Sequence, residues 1–129
     1  MRRLVLLFLL VPFFAVSQLT GKIVKVKDGD TVVILSNGIQ HTIRVADIDC
    51  PEKGQPYSKV AKDFVLNEVA GQEVEIKEKN KDRYGRIVGF VLYSGKNLSE
   101  ELLKRGLAWH YKHFSDDAYL AKLEREARA

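Results

Sequence analysis

The protein has 129 residues, enough for one compact domain and too few for two of ordinary size. Its 46% hydrophobic and 29% charged residues are typical of a globular chain and exclude an intrinsically disordered one. Lys and Arg number 21 against 17 Asp and Glu, a mild positive charge that is compatible with a polyanionic partner without identifying one.

The first 17 residues are predicted to be a signal peptide. Arg2 and Arg3 precede an apolar run from Leu4 to Val16, and small residues stand where a signal peptidase would cleave. The run is too short for a membrane span, which needs about 20 apolar residues. A buried N-terminal strand or helix is the alternative. We therefore expect residues 18–129 to form the domain of a secreted or periplasmic protein, with no membrane association once the leader is removed.

The first half of the expected domain is predicted to form strands. Alternating residues predict a strand over 22–27, and a β-branched apolar run predicts a second over 31–35. Asn37-Gly38 is a strong hairpin signal, after which a third strand is predicted over 39–45.

The second half is predicted to supply two strands and three helices. The predicted elements are a helix over 59–69 capped by Ser58, a strand around Val74 and Ile76, a polar turn around 79–82, a strand over 87–93, a short helix capped by Asn97 that ends at Gly106, and a last helix capped by Ser115 with Leu120, Leu123 and Ala127 inside. This order predicts an α+β domain built on a small five-stranded barrel.

Acidic residues gather in two short segments, Asp28–Thr31 and Asp47–Glu52. Hard divalent cations need several oxygen ligands, and secreted proteins meet abundant calcium, so a calcium site is chemically sensible here. Asp and Gly also fill turns for backbone reasons, and each segment alone is therefore a weak signal.

The predicted hairpin brings a guanidinium into the same region. A two-residue turn places Arg44 opposite Thr31, one residue from Asp30, and the chain reaches Asp49 five residues later, shortly before Glu52. A cation, an arginine fork and a further carboxylate are the groups that phosphodiester hydrolysis requires. The pattern therefore predicts a phosphodiesterase site.

Three segments taken together resemble the staphylococcal-nuclease-like (thermonuclease) family. They are Asp28-Gly29-Asp30-Thr31, Arg44 with Asp49-Cys50-Pro51-Glu52, and Asp82-Arg83-Tyr84-Gly85-Arg86. The resemblance runs from about Lys22 to the last predicted helix. It implies an OB-fold, a calcium ion and an endonuclease that cleaves DNA or RNA, with little sequence preference, to products ending in 3′-phosphates.

The resemblance implies a role for each acidic residue of the site. Asp30 and Asp49 resemble the carboxylate ligands of calcium, and Cys50 stands where the family uses a main-chain carbonyl as a further ligand. Glu52 resembles the residue assigned to the attacking water, and Asp28 the one that holds the metal through water.

The resemblance also implies how the substrate is held. Arg44 and Arg86 resemble the two arginines that bind the phosphate in the transition state, although a solvated strand end is the plainer interpretation of Arg86 alone. Tyr84 resembles a nucleotide-contacting tyrosine. Tyr111 is the candidate for stacking on an unpaired base, which favours single-stranded substrates. We expect a monomer.

Several residues have a plainer interpretation. Trp109, Tyr111 and Phe114 are expected to pack in the core or at its rim, and stacking of a base on Tyr111 is the alternative to be tested. His110 and His113 are expected at the surface or lining a groove, because no set of further ligands accompanies them at zinc spacing. The exposed lysines of the strands are expected to be solvated.

A non-catalytic OB-fold that binds oligonucleotides or another protein is the alternative function. The residues that distinguish the two are Asp30, Arg44, Glu52 and Arg86, and all four are present.

Overall fold

A computed structural model describes residues 3–7 and 18–129 of the chain. Most of the predicted leader lies outside these residues. None of the helices in the described part is long and apolar enough to cross a bilayer. The strands are β1 (Leu19–Asp28), β2 (Thr31–Ser36), β3 (Ile39–Val45), β4 (Ile48–Asp49), β5 (Glu73–Lys81), β6 (Ile87–Tyr93), β7 (Lys96–Asn97) and β8 (Trp109–His110), and the helices are α1 (Ser58–Val69), α2 (Leu98–Lys104) and α3 (Ala118–Ala127).

The five long strands close into a barrel. Their order is β3-β2-β1-β5-β6, with antiparallel neighbours, and parallel pairing of β3 with β6 completes the ring. The two-residue strands β4 and β8 pair beside the barrel. This is the α+β architecture that the sequence predicted, an OB-fold with three helices.

The predicted hairpin register is confirmed. Ser36 pairs with Ile39 and Thr31 pairs with Arg44. Asn37 and Gly38 have φ of 50° and 77°, the left-handed values that a tight two-residue turn requires. The turn therefore places Arg44 at the end of the barrel where β2 begins.

The core fills the barrel and the space under the helices. The first four residues of β2 are all buried, and β3 buries Ile43 and Val45 in alternation. Helices α1 and α2 each contribute one buried face. Its largest fully buried members are Ile23, Ile34, Ile43, Ile48, Ile76, Leu98, Leu102 and Leu103. Leu120 and Leu123 of α3 pack against α2, as their helical spacing predicted, and so fix the last helix to the domain.

Two predicted helix caps are wrong. Helix α1 begins at Ser58 itself, and Tyr57 occupies the cap position with φ of 66° and no side-chain cap. Helix α3 is capped by Asp117, whose carboxylate accepts from the main-chain N–H groups of Tyr119 and Leu120 at 2.9 and 3.0 Å. Ser115 is instead drawn into a buried polar cluster, which removes it from the helix end.

The polar segment 79–82 is not a turn. Strand β5 extends to Lys81, because its last residues pair with the start of β6, and the turn follows at 82–86. The predicted boundary was wrong because exposed lysines in a barrel strand have the same polarity as a turn.

Candidate active site

A partly buried arginine, Arg44, contacts two carboxylates at one end of the barrel. Nη2 of Arg44 lies 3.2 Å from Oδ1 of Asp49 and 3.5 Å from Oδ2 of Asp30. Its Nη1 donates to the carbonyl oxygens of Val45 and Ile48, both at 2.8 Å. Because the main chain holds one side of the guanidinium, the other side is fixed toward the two acids.

The two carboxylates belong to different segments. Asp30 ends the turn between β1 and β2, and its Oδ2 accepts from the main-chain N–H of Cys50 at 3.0 Å. Burial raises the pKa of Asp49, Arg44 opposes this, and the neighbouring carboxyl group of Asp30 raises it further. The two carboxylates together carry more negative charge than the single guanidinium of Arg44 neutralises.

This pair suits a hard cation. Two carboxylates held together, with one pKa raised by burial and by the other acid, are stabilised when a positive ion lies between them. Within the described residues there is no cluster of three or more His, Cys, Asp or Glu side chains. The remaining ligands of a calcium ion would have to be main-chain oxygen, water or substrate.

The thiol of Cys50 does not face this site. The residue is 2% exposed, and its Sγ packs so close to Gly29 that a Cβ there would lie 2.9 Å away. Burial and the adjacent Asp30 raise the pKa of the thiol far above its usual value. The hard donor that Cys50 offers is its main-chain carbonyl, in agreement with the resemblance.

Glu52 lies on an exposed turn beside the pair. Its main-chain N–H donates to Oε1 of Gln55 at 2.7 Å, and the N–H of Gln55 donates back to the carbonyl of Glu52 at 2.9 Å. The charge of Glu52 contributes to the raised pKa of Asp49. Gln55 thus fixes the main chain of an exposed glutamate three residues after Asp49.

Arg86 lies at the same end of the sheet as Arg44, in the turn that leads into β6. Arg44 pairs with Val88 across the parallel strands, and Arg86 lies two residues before Val88. Standard strand spacings give a Cα separation of about 8 Å between the two arginines. Both arginines therefore lie at one end of the barrel, as a shared phosphate would require.

Asp82 organises the turn that presents Arg86. Its Oδ1 accepts from the main-chain N–H groups of Tyr84 and Arg86, both at 2.9 Å, and its Oδ2 accepts from Nε of Arg86 at 2.6 Å. Burial opposes ionisation, but these hydrogen bonds outweigh it and lower the pKa of Asp82. Arg86 is therefore held through Nε, which leaves both terminal nitrogens for another anion.

Tyr84 lies exposed above the same turn. Its side chain is 71% exposed, and the guanidinium carbons of Arg83 and Arg86 lie 5.0 and 5.7 Å from its ring centre. An exposed aromatic ring flanked by two cations suits a base and its phosphate.

Tyr111 belongs to a cluster of three rings that we call the aromatic turn, residues 111–114. The Phe114 ring lies 4.9 Å from the rings of Tyr111 and His113. Phe114 is 66% exposed and so does not pack in the core, whereas Tyr111 is partly buried, which matches the predicted packing at the rim. Trp109, 44% exposed beneath Arg128 of the α3 terminus, matches the predicted packing at the rim.

No role was predicted from the sequence for two acidic residues, Asp47 and Asp82. Asp82 precedes a short turn, and an Asp there commonly accepts from the following main-chain N–H groups, so a signal existed. Asp47 is buried and contacts Lys79 and Ser115, which are 32 and 68 residues away along the chain, and no local pattern reveals such a contact. Lys79 is exposed, as predicted for the strand lysines, but its Nζ also pairs with Asp47.

His110 was also placed wrongly. It is 5% exposed, because β8 pairs with β4 and turns its ring inward. His113 is exposed, as predicted.

Comparison with known proteins gives a consistent result. The family model described as "Staphylococcal nuclease homologue" matches residues 42–129. An "Uncharacterized endonuclease" of Haemophilus influenzae is 34% identical over 127 residues, covering 98% of this chain and 71% of that protein. A second "Uncharacterized endonuclease", of Escherichia coli, is 36% identical, covering 87% of this chain and 74% of its own length. A "Micrococcal nuclease" of Shigella flexneri is 36% identical, covering 96% and 76%.

Proposed function

We propose that the protein is a calcium-dependent endonuclease of DNA and RNA. The chain belongs to the staphylococcal nuclease family, which is the premise of this proposal. Membership makes it a nuclease, a hydrolase of phosphodiester bonds. The metal, the substrates and the products are our proposal. The observation that carries it is the contact of Arg44 with both Asp30 and Asp49, at the end of the sheet where Arg86 also lies.

Asp30 and Asp49 are the side chains proposed to hold the ion, with the carbonyl of Cys50 as a main-chain ligand. Calcium bound there would polarise the phosphate and offset part of its negative charge. Nη2 of Arg44 contacts both carboxylates, and Arg44 is therefore proposed as a donor to that phosphate. Arg86 approaches from the neighbouring strand with its terminal nitrogens free of Asp82, so the two arginines stabilise charge that develops on the phosphate oxygens.

Glu52 is proposed to orient the attacking water and to accept its proton. The residue lies in solvent beside Asp49, where water has direct access to it. Attack on phosphorus breaks the bond to the 5′ oxygen, so the phosphate stays on the 3′ oxygen of the product. Gln55 fixes the main chain of the turn that carries Glu52.

A single-stranded substrate is proposed because the aromatic surface is open. Tyr84 and Phe114 are more than half exposed, and Tyr111 lies beside Phe114. Unpaired bases can stack on such rings, whereas the faces of paired bases inside a duplex are covered by their neighbours.

The direct experiment incubates the purified protein with denatured DNA, duplex DNA and RNA in millimolar calcium or in chelator. We expect cleavage only with calcium, fastest on single strands, and 3′-phosphate ends by end-group analysis. Cleavage that is indifferent to chelator would contradict the metal requirement. Binding of all substrates without any cleavage would favour the alternative, a non-catalytic oligonucleotide-binding module.

Export and a monomeric state complete the proposal. The leader predicted over residues 1–17 supports a secreted or periplasmic location. Expression of the full chain in a bacterial host, followed by mass measurement of the protein in the periplasm and medium, should give a mature form that starts at residue 18. Retention of the whole chain in the cytoplasm would overturn it, and light scattering would measure the oligomeric state.

A further inference from the structure

Asp47 holds both ends of the aromatic turn. The main-chain N–H of Tyr111 donates to the carbonyl oxygen of Asp47 at 2.9 Å, and Oγ of Ser115 donates to its carboxylate Oδ2 at 2.9 Å. The N–H of Phe114 donates to the carbonyl of Tyr111 at 3.0 Å, which closes the turn between these anchors. One residue on the β3–β4 connection therefore fixes the start and the end of the segment that carries the exposed rings.

The position of Asp47 links this turn to the acidic pair. It lies three residues after Arg44 and two before Asp49. Its φ of 64° is left-handed, a conformation that Asp, Asn and Gly tolerate better than other residues do. The connection can therefore reverse direction and present Asp47 to the aromatic turn while Asp49 faces Arg44.

A buried polar cluster holds the carboxylate in place. The side chain of Asp47 is 6% exposed, and Nζ of Lys79 contacts its Oδ1. Lys79 lies at an irregularity of β5, between the paired residues Glu78 and Asn80, and a bulge of this kind redirects a side chain. The carboxylate is thus satisfied from two sides, by a lysine of the barrel and by Ser115.

His110 closes the cluster on the other side of Ser115. Its Nε2 lies 2.9 Å from Oγ of Ser115. Since Ser115 donates its proton to Asp47, it must accept from His110, so Nε2 carries the hydrogen. Nδ1 is buried and has no hydrogen-bond partner among the described residues. The order of donors runs from His110 to Ser115 to Asp47, which is opposite to an activated serine nucleophile.

We infer that Asp47 is a positioning residue for substrate binding: it sets the aromatic turn at a fixed distance from the acidic pair, so that a base on Tyr111 and the scissile phosphate are held together. The inference rests on the proposed function, because it requires Tyr111 to contact the substrate. A purely structural role is the alternative, in which the Asp47 cluster only stabilises the fold.

The two roles differ in which contact matters. A structural role depends mainly on the ion pair with Lys79, because losing it leaves a buried charge. The positioning role depends on the bond with Ser115, because that bond reaches the aromatic turn. The roles are therefore separated by comparing variants that lose only the ion pair with Lys79 with a variant that also loses the bond with Ser115.

The test uses four single variants of the full domain. Asp47→Gly keeps the left-handed backbone and the carbonyl acceptor but removes the carboxylate, and Asp47→Asn restores an acceptor for Ser115. Lys79→Met breaks the ion pair alone. Ser99→Ala is the matched control, since Ser99 is also buried and donates to the carbonyl of Ala46 at 2.7 Å, away from the aromatic turn.

Binding of a fluorescein-labelled oligothymidine is measured by anisotropy in chelator, where no cleavage occurs. We expect Asp47→Gly to raise the Kd about tenfold, the scale of one lost base-stacking contact. Asp47→Asn, Lys79→Met and Ser99→Ala should stay close to wild type, even where their melting temperatures fall. With calcium, Asp47→Gly should raise KM and change kcat little.

A double-mutant cycle ties the effect to Tyr111. If Asp47 acts through Tyr111, Asp47→Gly in a Tyr111→Ala background should weaken binding no further. Additive effects, or equal losses in Lys79→Met and Asp47→Gly, would overturn the inference. If Asp47→Gly does not fold, Ser115→Ala breaks the same link and takes its place. A wild-type protein that neither binds nor cleaves oligonucleotides would instead refute the proposed function.

Discussion

Nη2 of Arg44 lies 3.2 Å from Oδ1 of Asp49, and the same arginine donates through Nη1 to the carbonyl of Ile48, the residue just before Asp49. One side chain therefore fixes the path of the β3–β4 connection and also faces its carboxylate. Arg44 has a structural task as well as the proposed catalytic one. Within the described residues, Arg86 forms an ion pair with Asp82 on the rim, and it therefore contributes much less to stability.

The two arginines should therefore separate activity from stability. Arg44→Ala and Arg86→Ala are each expected to lower kcat by about 100- to 1,000-fold, by analogy with the loss of one donor to a developing anion. Arg44→Ala should also reduce the free energy of unfolding by about 2 kcal/mol, because it removes charge-assisted hydrogen bonds to two main-chain carbonyls and to Asp49. Arg86→Ala should reduce it by less than about 1 kcal/mol.

Steady-state kinetics and urea unfolding measure these effects, with Lys59→Ala as the control. Lys59 forms an exposed ion pair with Asp63 on α1 and should change neither quantity appreciably. A raised KM with normal kcat in Arg86→Ala would contradict its role in the transition state.

Asp30→Asn should weaken calcium binding. The substitution keeps the shape of the side chain and an oxygen that accepts from the N–H of Cys50, but removes one of the two negative charges of the pair. Because calcium affinity depends on ligand charge, calorimetry should show a clear loss of affinity. Asp63→Asn removes an exposed carboxylate from α1 and should leave calcium binding unchanged. Equal affinities in Asp30→Asn and wild type would contradict the assignment of Asp30 as a ligand.

The barrel and the acidic pair were predictable because their signals are local. Asn37-Gly38 fixes a hairpin register, and that register alone brings Arg44 next to Asp30. Strand alternation and helix spacing likewise located the long strands and the buried faces of the helices.

Contacts between distant segments were not predictable in this way. Asp47 reaches Lys79 because an irregularity of β5 redirects the lysine, and it reaches Ser115 because β8 pairs with β4. Both causes are tertiary contacts, which the local sequence does not show. A serine shortly before a helix, such as Ser115, therefore has the same sequence pattern whether it caps the helix or bonds elsewhere. The solvent exposure of the aromatic turn has the same origin, since the anchoring of its ends decides which side its rings face.

Asp82→Asn should lower the stability of the protein at neutral pH. This loss of stability should be much smaller in acid. The pKa of Asp82 is lowered in the folded protein by hydrogen bonds from Arg86 and Tyr84 that outweigh burial, so the charged form stabilises the fold. This contribution is present above the unfolded pKa of about 3.8 and is lost as the pH falls through the lowered value. Melting temperatures of wild type and Asp82→Asn should therefore differ at pH 7 and converge toward pH 2. A difference that is constant with pH would show that the charge of Asp82 is not responsible.

Cys50 should be inert toward thiol reagents in the folded protein although it adjoins the candidate active site. Burial and the nearby Asp30 carboxylate raise the pKa of the thiol, so the reactive thiolate is scarce at neutral pH, and the sulfur packs against Gly29 inside the core. Iodoacetamide at pH 7.5 is expected to modify the urea-unfolded chain completely and the native protein hardly at all, as mass spectrometry would measure. Calcium should slow the native reaction further, because an ion that binds the folded state suppresses the opening that exposes the thiol. Rapid alkylation of the native protein, accompanied by loss of nuclease activity, would show instead that the thiol faces the candidate active site.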